Sequence, residues 1–120
     1  MAEKTIYKGR FGNIDKIGKF DEYLDSIKGC RKVDKIIYKQ GRDSFDFLYN
    51  NIYYFDLDNV TLFAKFAVPE TVHFRESNAG KIDTEIKLYG LEKSINDFEK
   101  KIKEEVDKFN IEDIVQVGVK

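Results

Sequence analysis

Leu91, Ile95, Phe98, Ile102, Val106 and Phe109 recur at steps of three and four residues, so one apolar seam runs along a single side of a helix of about five turns. Glu92, Lys93, Asp97, Glu99, Lys100, Lys101, Lys103, Glu104, Glu105 and Lys108 occupy its other sides. A helix apolar on one side only must lie on another apolar layer. The rest of the chain therefore has to supply that layer.

Most of it reads with the period of two that marks strands. Thr5, Tyr7, Gly9 and Phe11 alternate with Lys4, Ile6, Lys8 and Arg10, and Val60, Leu62, Ala64, Phe66 and Val68 alternate with Thr61, Phe63, Lys65 and Ala67. Further strands are expected over 33–39, 44–49, 52–57 and 82–88, with a short edge strand over 71–75 and a last one over 114–119. Gln40-Gly41-Arg42-Asp43 is expected as a hairpin turn. Asn50-Asn51 and Asp58-Asn59 are expected as tight turns, because asparagine tolerates positive φ. Pro69, the one proline, stops the strand before it, and residues 76–80 read as a loop.

A second, shorter helix follows Gly12-Asn13, with Ile14, Ile17, Phe20, Tyr23, Leu24 and Ile27 on one arc and Gly29 as its stop. Gly18 costs about 1 kcal/mol relative to alanine inside a helix. It is expected to mark a close approach to the sheet or a kink.

The fold expected is α+β: an antiparallel sheet of five to seven strands with two helices on one face, in the order β-α-β-β-β-β-β-α-β. One domain covers residues 1–120, without an internal repeat or linker. Up to the long helix, this order resembles one TATA-binding-protein-like repeat and also a reduced helix-grip (START-like) domain. The resemblance is one of layout, with no motif residue behind it, and the strand expected after the long helix departs from both.

Ten phenylalanines and seven tyrosines in 120 residues give such a domain ample apolar volume without disulfides or metal. Cys30 is the one cysteine, which fits a reducing, cytoplasmic setting. No stretch reads as a signal peptide or membrane span. The formal net charge of −1 gives no reason to expect strong attraction to phosphate polymers or anionic lipid. It conceals an asymmetry: residues 1–42 hold 11 basic and 6 acidic side chains, and residues 43–120 hold 10 and 16.

No catalytic constellation stands out, so a non-catalytic chain without a cofactor is expected. His73, among Glu70, Arg75 and Glu76, has the ingredients of a general base, but a single histidine in an alternating segment is most simply an edge-strand surface residue. Cys30 beside Arg31 and Lys32 would be a nucleophile if those cations lowered its pKa; the plainer reading is a small packing residue. Asp43, Asp46, Asp56 and Asp58 lie near turns, too few and too scattered for a metal site.

Two surface features point to partners. Arg31, Lys32, Lys35, Lys39 and Arg42 gather cations near Tyr38, as single-stranded nucleic acid would require, although lysines that guard a sheet edge give the same pattern. Two helices cannot cover both faces of the sheet. Unless the sheet curls enough to bury those rings, some of Tyr53, Phe55, Phe63 and Tyr89 are thus expected on a bare face, where they would meet a protein partner or a second copy. A small apolar ligand held between the long helix and a curved sheet is the alternative, removed if Phe66, Phe98, Ile102 and Val106 fill that space.

Overall fold

Five strands pair antiparallel in the order β1-β5-β4-β3-β2, in a computed structural model that describes residues 1–11, 14–40, 45–69 and 82–107. They are β1 (Ala2–Phe11), β2 (Cys30–Gln40), β3 (Phe45–Phe55), β4 (Val60–Pro69) and β5 (Ile82–Gly90). Helix α1 (Ile14–Ser26) follows β1, and helix α2 (Glu92–Asp107) follows β5. The α+β class expected from the sequence is what the chain forms. The edge strand and loop expected over 71–80 and the last strand over 114–119 lie outside the described residues.

Both helices lie on one face. Ile95, Phe98, Ile102 and Val106 of α2 and Phe20 and Leu24 of α1 are buried against Tyr53, Phe55, Val60, Leu62, Ala64, Phe66, Val68, Ile82, Ile86 and Leu88 of the sheet. The core therefore takes alternate residues of β4 and β5, as the period of two requires. Leu91 departs from the expected seam. Its carbonyl accepts from the Ile95 amide and opens the helix, but the side chain, one residue before α2, is 63% exposed.

Asn50-Asn51 is the main correction. No turn forms there; β3 runs unbroken, with Asn50 opposite Lys35 and Lys65 and Asn51 opposite Asp34 and Ala64. Ladder partners on both sides outweigh the local turn preference of asparagine. The reversal comes at Asp56–Asn59 instead, where Asn59 takes φ 55° as expected and the Asp58 amide closes on the Phe55 carbonyl.

Gly29 ends the α1 region at φ 86°. Gly18 marks neither a kink nor a close approach: α1 is continuous, and a β-carbon there would meet nothing within 4 Å. In β1 a bulge between Thr5 and Tyr7 shifts the register against β5. Tyr7, opposite Ile86, and Lys4, opposite Leu88, then share the helix side.

Candidate functional site

The continuity of β3 decides which aromatic side chains reach the surface. With no turn at 50–51, Tyr53 and Phe55 fall on the same face as Tyr49, and both are fully buried beneath the helices. They are therefore not on the bare face. Even-numbered residues of β3 take that place. Directly opposed residues share a face, so the register aligns Arg31, Tyr54, Thr61, Tyr89 and Glu3 in one row across the open side. Val33, Ile52, Phe63, Lys87 and Thr5 form the next.

Phe63 and Tyr89 lie where a bare face predicts them. Tyr54 is the open-side ring that the misplaced turn hid. Val33 is 52% exposed at the β2 edge, and Ile52, Tyr54, Phe63 and Tyr89 are half-buried. No described helix covers this face. Its lower part is charged, with Lys65 and Glu85 opposite each other on β4 and β5 and Lys8 beyond them on β1. A shallow groove of about 380 Å³ lies among Lys8, Gly9, Lys65, Ala67, Asp83 and Glu85.

The basic hairpin divides between the two sides of β2. Arg31, Lys35 and Lys39 hold open-side positions, and Lys32 holds a helix-side position. Lys32 Nζ lies 2.8 Å from Asp21 Oδ2 and 3.5 Å from Asp34 Oδ2, and its hydrogen bond to Asp21 raises its pKa. It is thus committed inside the molecule. Arg31 forks onto Asp56, with Nε donating at 2.7 Å and Nη2 at 3.1 Å, and its guanidinium lies 5.1 Å from the Tyr54 ring centre. The side chains of Lys35 and Lys39, and the whole of Arg42 and His73, lie outside the described residues.

Asp21 organises a part-buried polar cluster. Tyr53 Oη donates to Asp21 Oδ1 at 2.6 Å, and Asn51 Nδ2 donates to Tyr53 Oη at 3.2 Å. Turned over, the amide would instead reach Asp34 Oδ1 at 3.3 Å. The phenol has a single hydrogen and gives it to Asp21, so only the first orientation leaves a bond between Asn51 and Tyr53. Burial, followed by the bond to Asp21, pushes the Tyr53 phenol far above its ordinary value. It is no proton acceptor near neutrality, and the cluster holds the fold together.

Cys30 does not behave as its cationic neighbours suggested. Burial, Asp25 and Asp21 raise the thiol, and Lys32 opposes them less strongly. At neutral pH it is a protonated packing group rather than a thiolate. Among the described residues no cluster of metal-binding side chains occurs; Asp56 pairs with Arg31 and Asp58 with Lys101. Phe66, Phe98, Ile102 and Val106 are all buried in one core, so they fill the space between α2 and the sheet. Among the described residues no helix is long and apolar enough to cross a membrane.

No family model matches this chain, and neither a curated protein nor a solved structure does.

Proposed function

We propose that this chain is a non-catalytic interaction module that docks a protein partner, in the first place a second copy of itself, on the helix-free face of its sheet. The observation that carries this reading is the row Val33, Ile52 and Phe63, flanked by Tyr54 and Tyr89, on a face that no described helix shelters. Contiguous apolar surface of this kind is uncommon unless something binds it. The lone thiol supports a cytoplasmic setting.

Single-stranded nucleic acid has less support, because Lys32 and Arg31 already hold carboxylates. The ligand alternative has lost the space it required. Hydrophobic-dye binding, compared between the wild type and Phe63→Glu, tests the leading reading. Diluted until monomeric, the wild type should bind dye on its uncovered face, and the variant, still folded by circular dichroism, should lose most of it. Equal binding would refute the docking face, and salt-dependent capture of oligonucleotides would replace it with the nucleic-acid reading.

A further inference from the structure

The cross-strand register lays the open face out as a grid. Below the row Val33, Ile52, Phe63, Lys87 and Thr5 comes the row Lys35, Asn50, Lys65, Glu85 and Lys8, and below that Ile37, Leu48, Ala67, Asp83 and Arg10. The Val33 row is thus mainly apolar and the row directly below it mainly charged. That arrangement restricts how two such faces can meet.

Two two-fold axes bring sheet onto sheet with strands aligned. An axis running along β4 would set Lys65 against its own copy, opposing like charges at the centre, and its one opposite-charge match, Arg31 with Glu3, would engage an arginine already held by Asp56. An axis crossing the strands between the Phe63 and Lys65 rows lays each strand over its own counterpart. Lys87 then meets Glu85, Phe63 meets Lys65, and Tyr54 meets Leu48. No like charges oppose one another in those four rows. Sheets packed face to face are rotated by about 30°, which displaces the edges more than the centre, so β4 and β5 keep this matching best.

Resting on the docking face proposed above, we infer that two copies pair open face to open face about the axis that crosses the strands. Lys87 and Glu85 of both copies then form a ring of four alternating charges, and Lys65 of each lies over Phe63 of the other. Within one copy Lys87 already lies 3.7 Å from Glu85 and 3.1 Å from Glu3, so one half of the ring exists before pairing. The area suits a dimer. Five strands about 4.8 Å apart and some 30–35 Å long present roughly 700–850 Å², close to the roughly 800 Å² per partner of a standard interface.

Charge exchange tests the geometry by analytical ultracentrifugation. Glu85→Lys or Lys87→Glu alone makes the ring carry one sign, and each should weaken dimerisation at least about tenfold. The double variant Glu85→Lys with Lys87→Glu restores alternation and should restore the dimer, and because the two residues also pair within one copy, urea unfolding of all three variants at monomeric dilution should match the wild type, whereas a merely structural role would make stability follow dimerisation. Single exchanges that dimerise like the wild type would overturn this axis. A wild type that stays monomeric through the micromolar range would overturn self-pairing itself. Dye binding lost on Phe63→Glu in that monomer would leave the docking face standing for another protein.

Discussion

The Tyr53 phenol donates to Asp21 across 2.6 Å, joining the centre of β3 to helix α1. Lys32 of β2 reaches the other oxygen of the same carboxylate at 2.8 Å. One aspartate thus ties two strands to a helix that rests on the sheet through few residues, of which Phe20 and Leu24 are fully buried.

Tyr53→Phe should cost about 1.5–3 kcal/mol in urea unfolding, the worth of a hydrogen bond to a charged group. The same change should alter the alkaline limb of stability. Folding raises the Tyr53 pKa above the 10.0 of a free phenol, so the unfolded chain loses its proton first. Stability is therefore complete below about pH 10 and falls as pH rises toward the folded value. The phenylalanine variant should fall less steeply over that range, and an unchanged slope would contradict the assignment.

Much of this fold is legible because both helices and β4 and β5 are regular: their apolar residues repeat with one period, and neighbours have the same needs. The Asn50-Asn51 pair is where that reading fails. Local preference favours a turn, whereas Asp34, Ala64, Lys35 and Lys65 hold both residues in a ladder, and those partners are distant in sequence. That single displacement leaves Tyr53 and Phe55 among the candidates for the bare face, although both are buried under the helices, and hides Tyr54. Phe63 and Tyr89, on strands without such a conflict, hold open-side register positions. The pairing of Lys32 with Asp21 was likewise invisible, since nothing in a run of cations shows which one a helix will cover.

Gly29 and Gly90 should differ sharply when replaced by alanine. Gly29 has φ 86°, and a β-carbon there would come within 2.8 Å of Leu57 Cγ. That side chain is 65% exposed and can swing away, so the cost should be about 1–2 kcal/mol of backbone strain. A β-carbon at Gly90 would come within 2.8 Å of the Asn59 carbonyl oxygen, main chain fixed by the β3–β4 turn. Gly90→Ala should therefore cost more, about 2–4 kcal/mol, and thermal melts of the two variants should fall in that order.

Two phenylalanines separate stability from association. Phe98 is 1% exposed, and its ring centre lies 4.5 Å from that of Phe55. Phe98→Ala should cost about 3–5 kcal/mol. Phe63→Ala, on the open face, should cost less than about 1 kcal/mol and yet weaken self-association. Chemical denaturation and sedimentation on the same samples would distinguish the two effects, and a large stability loss from Phe63→Ala would place that ring in a closed interior.

Cys30 offers a check on the electrostatics around α1. Burial and the carboxylates of Asp25 and Asp21 hold its thiol above the ordinary range, so the reactive thiolate is scarce at neutral pH. Alkylation by iodoacetamide should be slower than for a free cysteine at the same pH. Asp25→Asn removes the larger of the two carboxylate effects and should speed the reaction, whereas Lys32→Gln should slow it by removing the opposing cation. Because Lys32 also holds Asp21, hydrogen exchange at α1 would show whether slower alkylation reflects charge or a displaced helix. Alkylation faster than the free thiol would mean that the cations outweigh the carboxylates, and Cys30 would regain its standing as a nucleophile.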